Sequence, residues 1–522
     1  MPRTSRSFLS MAFLASLLVA GCNNSNDLFD GLDSDPDQPT EPPGPEAIPL
    51  LDWDWFSDAR VIDTDESDAG RVNGVIAATG DATLIWRREG TAPLSCAATT
   101  YFEITTTSWE GWAADLVECG DSDPGELPQV GMDSDGKAIV AWVNDQVGSD
   151  AAVRSAYRPA DGDWSAAGDV SVSGGSGFES NHPSLFVPQT GDAYMVWQQR
   201  TTSSYGSFDN LYLSVFDTEA NTWSVPTGLN GSGSGSGPLG DYYHRHLNPV
   251  LAGNQNGQMV LAYTVQQGYV GGDQYDIDDQ VRAVIYTPDA AGDQWTSPMR
   301  LSEGTNRPFN LRAVIDGDGN AIVLWLQNDG TVENLYGRRY DAVDGWDAEP
   351  TLLESGVARV IEMDAAIDGN GDVMVAWRQF IEDPVPSAQV ADPEGYTSRL
   401  QYSRYDSETG SWSAPAGIHA DSVEALAVSV DVDMWGNALV AWEGAEGYEI
   451  SASRYEQATD TWRAPELLST DFRDDLDPAY GRVDDVMVFV NDEGYAGVGW
   501  QQHNGTSRRI YASGLRGEVV DR

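Results

Sequence analysis

Tyr242-Tyr-His-Arg-His246 concentrates more chemistry-bearing side chains than any other stretch of the chain: two phenols, two imidazoles and a guanidinium in five residues, just after the Gly/Ser tract 231–237. Imidazole changes charge near neutrality, Tyr is a second proton carrier, and Arg offers a fixed fork to a carboxylate. Together they suit abstraction of a proton beside a uronate carboxylate and protonation of the leaving oxygen, the work of a polysaccharide lyase. His182 follows Asn181 one repeat earlier and is placed to join the cluster. The candidate ligand-binding set is His182, Tyr242, Tyr243, His244, Arg245, His246, Arg200, Arg307, Arg359, Arg378, Arg482 and His503. Residue type and inferred proximity support it, and a structural role for any single His is the commoner case. No residue is assigned as catalytic.

Other chemistry is missing from the sequence. There is no Ser-His-Asp set, no HExxH and no phosphate-binding loop. The Asp/Gly stretches around Asp133, Asp316 and Asp368 superficially resemble calcium loops but lack the spacing and distal Glu that such a loop requires. They read as tight hairpin turns in which Gly supplies positive φ. No metal and no cofactor is expected.

The elements that must position these residues are repeats. Asp316-Gly-Asp-Gly-Asn-Ala-Ile-Val-Leu-Trp325, a turn followed by a β-prone run ending in an aromatic, recurs with its aromatic at Trp86, Trp142, Trp197, Tyr263, Trp325, Trp377, Trp442 and Trp500. Each period carries four strand signals, the fourth starting at a second aromatic such as Trp223, Trp412 or Trp462 and often continuing into Pro. Four short strands repeated radially describe a β-propeller blade. The expected fold is all-β, an eight-bladed β-propeller of four-stranded blades. The chain ends without a fourth strand for its last repeat, and the segment around Trp53 and Trp55 supplies one, so the last blade is expected to be closed by the N-terminal strand. An open array, or seven blades plus a stray hairpin, is the alternative. The landmark aromatics are expected to pack between blades, and the Gln that often follows them to bond a neighbouring blade's backbone. In this arrangement loops entering strand one and loops between strands two and three share one face. Four of the five His and many of the Arg then form a positive rim, and the insertion 381–397 on that face reads as a lid or docking loop.

Residues 1–21 carry Arg3, Arg6 and an apolar run too short for a permanent membrane helix, and read as an export signal. The Ala-Gly-Cys22 that follows resembles the bacterial lipobox, which implies a lipidated Cys22 and an outer-membrane anchor. Residues 22–49, rich in Asp, Pro, Ser and Gly, read as a disordered acidic tether, and 50–522 as the propeller. With 82 acidic against 29 basic residues the formal net charge is −53, which excludes nucleic acid as a partner. The two remaining thiols, Cys96 and Cys119, both lie in the first repeat and are expected to pair in an exported protein. Tyr405-Asp-Ser-Glu-Thr-Gly-Ser-Trp412 resembles the Asp…Thr-Gly…Trp phrase of the quinoprotein-type, BamB-like eight-bladed propellers, although the Gly-to-Trp gap is shorter here. That resemblance implies a non-catalytic cell-envelope scaffold. Two functions are therefore carried forward: a lipoprotein platform for an envelope protein or an anionic surface glycan, and a glycan-active enzyme such as a polysaccharide lyase. The sequence leaves the oligomeric state open.

Overall fold

The computed structural model describes residues 51–519, apart from 56–59, 64–67, 90–94, 103–114, 121–126, 145–150, 161, 172–178, 204–205, 230–244, 271–272, 289–293, 305, 355–357, 382–397, 419–424, 445–448, 470–484, 493–494 and 504–506. Within these residues the chain is antiparallel β-sheet joined by turns. Each sheet runs from an inner strand to an outer one in simple up-and-down order, because the hairpins are short and successive strands pair with their neighbours. In the fifth repeat the order is Pro308–Ile315, Ala321–Asn328, Glu333–Asp341 and Gly345–Trp346.

The expectation of eight blades is corrected: the structure has seven, and the four-stranded pattern is kept. Seven blades are each built from one continuous stretch, beginning at Asp68–Ile76, Gln129–Met132, Glu179–Phe186, Arg245–Gly253, Pro308–Ile315, Val360–Ile367 and Ala425–Val432. The remaining sheet is of another kind, a composite of both ends of the chain. Its strands Val486–Val490, Tyr495–His503 and Arg508–Val519 are joined by Leu51–Trp55, with Leu51 opposite Val519 and Trp55 opposite Leu515, and by the short Arg60–Val61.

The four-stranded pattern holds, with one variation in the outer strand. In the third, fifth, sixth and seventh blades the outer strand is split into two short pieces, as at Thr222–Trp223 and Thr227–Gly228. Pro226, Pro350, Pro415 and Pro465 stand between the pieces; a residue without an N–H cannot continue the ladder and is confined to edges. The aromatic that opens each outer strand packs on its cross-strand partner. Trp223 on Phe216, Trp346 on Tyr340, Trp412 on Tyr405 and Trp462 on Tyr455 all have ring centroids 5.2–5.4 Å apart. In the first blade Trp112 lies outside the described residues, and the outer strand is Asp115–Gly120. Its register sets Cys119 opposite Cys96 of the adjacent strand.

The landmark aromatics are the core. Trp86, Trp197, Trp325, Trp377 and Trp500 have no exposed surface and Tyr263 none either. Trp325 packs with Val260, Ala262 and Val281 of the fourth blade as well as Leu311 and Ile315 of its own. Trp500 reaches Leu439 and Ile450 of the seventh blade, and Trp86 meets Phe489, Ile510 and Ala512 of the composite sheet. Each therefore seals one blade to the next, as the sequence pattern predicts.

The strand-one-to-two turns form a second seam. Asp316 Oδ1 accepts from the N–H groups of Asp318 and Asn320, and Asp368 and Asp433 repeat the pattern four residues across their own turns. The carboxylates are thus committed to holding the hairpins. Gly371, at φ 87°, lies so close to Asp316 that an added Cβ would sit 2.8 Å from its Oδ2. Gly371→Ala therefore combines a left-handed backbone with an inter-blade clash and is expected to destabilise the fold by roughly 2–3 kcal/mol. Gly168→Ala, in open space, should stay within about 0.5 kcal/mol of wild type in the same denaturation experiment.

Candidate functional site

Inner strands line the axis of a propeller, and here four of them are interrupted at one level. Arg71, His182, Asn248 and Asn310 have φ of 57°, 49°, 51° and 48°, each at a bulge opposite the landmark aromatic of the next strand. A bulge re-aims side chains and is common beside binding sites. Asn tolerates this backbone region; Arg and His adopt it only when the surroundings hold them. Asp485 Oδ2 accepts from Arg71 N at 2.5 Å, and Gln198 Oε1 from Asn248 N at 3.3 Å, both from the preceding blade in the ring.

The expected positive rim is largely an ion-pair framework. Arg200 bonds Glu179 at 2.7 Å and Asp209 at 3.2 Å, while Arg245 reaches the same Asp209 at 2.5 Å from the next blade. Arg359 pairs with Glu333 at 2.8 Å. Arg378 is buried, with Nε 3.2 Å from Ser398 Oγ. Arg88 pairs at 2.5 Å with Asp63, which also accepts from the Trp86 indole. Arg307 is exposed. His182 is half-buried on the inner strand of the third blade, whereas His246 is buried, 1% exposed, with its ring 5.5 Å from Tyr263. His503 is half-buried, and burial holds its pKa below the ordinary value. Tyr242, Tyr243, His244 and Arg482 lie outside the described residues. Arg200 and Arg245 are thus brought together, through Asp209.

The Gln residues beside the landmark aromatics have two jobs. Gln198 meets the neighbouring backbone as expected. The Gln two residues after Trp instead accepts from the indole N–H, at 3.2 Å in Trp197–Gln199 and Trp325–Gln327 and 3.1 Å in Trp500–Gln502. Gln327 then donates to the carbonyls of Glu303 and Asn306, tying down the crossover from the fourth blade.

A group that the sequence reading missed lies on the inner strands of the fifth to seventh blades and their neighbour. Asp364 Oδ1 receives Arg312 Nε at 2.8 Å, and its Oδ2 receives Ser429 Oγ at 3.1 Å and Val430 N at 3.0 Å. Ser429 Oγ and Asp431 Oδ2 in turn accept from Val488 N and Val490 N of the composite sheet. Glu362 belongs to the same array. Burial pushes its carboxyl up to about 7, against the pull of Arg312 and Arg378 and with the help of Asp364 and Asp485. Asp431 is likewise pushed up to about 7 by burial, opposed by the Val490 and Val432 N–H groups and assisted by Asp364 and Asp492. Both side chains keep partial access to water at the axis while protein encloses their other sides. Alternation of acids in Glu362-Met-Asp364 and Ser429-Val-Asp431 was the available signal. Among the described residues no three His, Cys, Asp or Glu are grouped for a metal ion.

No protein-family model matches the chain, and no curated protein matches it. Among solved structures it is similar to the polysaccharide lyase Uly1, at 9% identity over 84% of this chain and 88% of that one, TM-score 0.43. It is also similar to the β-propeller domain of the Trilobed protease from Pyrococcus furiosus, at 12% identity over 80% and 100% of the two chains, TM-score 0.38. A third is the fucose-specific lectin from Aleuria aurantia, at 12% identity over 64% and 92%, TM-score 0.32. The chain is a β-propeller with glycan-active proteins among its structural neighbours, and none of these likenesses bears on what this chain binds.

The raised carboxyls set a pH dependence. A Glu or Asp whose folded pKa lies near 7 binds its proton more tightly folded than unfolded, where values near 4 apply, so its stabilising effect is complete at about pH 4 and is lost as pH rises to about 7. Denaturation of wild type at pH 5 and pH 8 should show a loss to which each group contributes of the order of 1–2 kcal/mol, discounted for water at the axis. Glu362→Gln and Asp431→Asn should each flatten that dependence; an unchanged slope in both would refute the assignment.

Proposed function

We propose that the protein is a non-catalytic binding platform of the cell envelope, its propeller presenting a rigid surface to a protein partner or a glycan. The observation that carries this reading is the commitment of the rim cations. Arg200, Arg245, Arg359 and Arg88 each hold a carboxylate, and His246 is buried against Tyr263. A lyase needs a guanidinium ready for a substrate carboxylate and a base within reach of the proton. These side chains are spent instead on joining strands and blades.

Placement in the envelope rests on the sequence: Arg3 and Arg6, the apolar run and Ala-Gly-Cys22 support export and lipidation, with 22–49 as tether to the outer membrane. Oxidation of Cys96 and Cys119 to a disulfide suits that compartment, and their opposition in register supports it. A second reading, a glycan-active enzyme, is favoured by Glu362, a carboxyl near neutrality that has the right pKa for a general acid.

Incubation of the purified protein with a panel of uronate and neutral polysaccharides, following unsaturated products by ultraviolet absorbance and reducing ends by colorimetry, separates the two. The platform reading predicts no product with wild type and recovery of a bound partner by crosslinking in membranes. Turnover abolished by Glu362→Gln or His244→Ala contradicts it.

A further inference from the structure

A cavity of about 220 Å³ opens between the fifth and sixth blades on the face of the strand-one-to-two turns, remote in the chain from the His/Tyr cluster. Its lining includes the apolar side chains of Ala321, Ile322 and Ile367. Its rim is polar and comes from three separate turns: Asp318 of the fifth blade, Asn370 of the sixth, and Glu408 of the hairpin 406–410. All three are exposed and make no side-chain bond among the described residues, unlike Asp316 and Ser407 beside them, whose oxygens are taken up by the turns. Tyr405 and Arg339 complete the wall. Tyr405 is 4% exposed, and its buried hydroxyl has no partner of ordinary hydrogen-bond geometry, although the Arg339 guanidinium lies beside it.

We infer that this cavity binds one non-anionic sugar residue of a glycan. The charge balance selects against an anion: Asp316, Asp318 and Glu408 surround a single Arg339 that Asp341 already holds at 2.7 Å. A metal ion would leave the apolar lining residues without a role, and among the described residues no trio of His, Cys, Asp or Glu is grouped for one. A sugar ring answers both surfaces, with C–H groups for Ile322 and Ile367 and hydroxyls that donate to Asp318 and Glu408 and accept from Asn370 and Arg339. Tyr405 supplies a buried hydroxyl that an incoming oxygen satisfies. The inference rests on the platform reading and specifies one of its ligands.

Titration of the full propeller with neutral gluco-, galacto-, manno- and arabino-configured oligosaccharides, and with a uronate oligosaccharide as counter-probe, tests it by calorimetry. A neutral member should bind and the uronate should not. The double variant Asp318→Ala/Glu408→Ala, whose side chains are exposed, should weaken binding about tenfold or more with an unchanged melting temperature, and Tyr405→Phe should weaken it less. Absence of binding by every neutral sugar, or binding that the double variant leaves intact, overturns the site. Failure here together with a protein partner recovered from membranes leaves the platform standing; sugar binding together with measured turnover removes the platform and keeps the site.

Discussion

Among the described residues each sheet ends, toward the axis, in a strand with one unpaired edge, and burying such an edge unsatisfied would cost about 1–3 kcal/mol for each stranded group. The chain solves this by side chains that reach from one blade to the backbone of the next. Ser184 receives Leu251 N, Asp364 receives Val430 N, Ser429 and Asp431 receive Val488 N and Val490 N, Asp485 receives Arg71 N, and Asn73 donates to the Pro128 carbonyl. One of them, Arg71 N to Asp485, joins the first blade to the composite sheet across the ends of the chain. The ring is continuous because Leu51–Trp55 lies against Arg508–Val519, joining the two ends of the chain in one sheet. The fully buried tryptophans then fill the wedges between blades, and they do so only where the inner edges hold those wedges shut.

Much of this was legible beforehand, for a physical reason. A residue repeated at the same place in each blade meets the same environment each time, so Trp86 to Trp500 and the Asp/Gly turns announce their burial and their hairpins through recurrence. The composite sheet was visible too, in the strand missing at one end and present at the other. The split of the outer strands was not legible: Pro415 and Pro465 read as part of a continuing strand, since a break and a bend look alike in sequence. The axial carboxylates were hidden because their partners are backbone N–H groups about 60 residues away, and nothing in Glu362-Met-Asp364 names Val430 or Arg312. The pairing of Arg200 and Arg245 through Asp209 was hidden for the same reason, since nothing in the sequence sets Asp209 between them.

The consequences for function follow from where charge is spent. On the rim, the guanidinium groups of Arg88, Arg200, Arg245 and Arg359 face carboxylates of the protein itself. At the axis, Glu362 and Asp431 are held near neutrality by enclosure, so the interior carries less charge than its composition suggests. Between the fifth and sixth blades, by contrast, the exposed carboxylates Asp318 and Glu408 line a cavity together with apolar side chains and make no side-chain bond of their own among the described residues. The fold alone hosts binders and enzymes alike, so the difference between satisfied and unsatisfied groups is what distinguishes one part of the surface from another.

Continuity of the ring at the composite sheet is the central claim, and amide hydrogen exchange resolved to peptides is its most direct test. The account predicts that Leu51–Trp55 is protected as strongly as Tyr495–His503 and that both lose protection together in denaturant. Exchange of Leu51–Trp55 within seconds while Tyr495–His503 stays protected would contradict it.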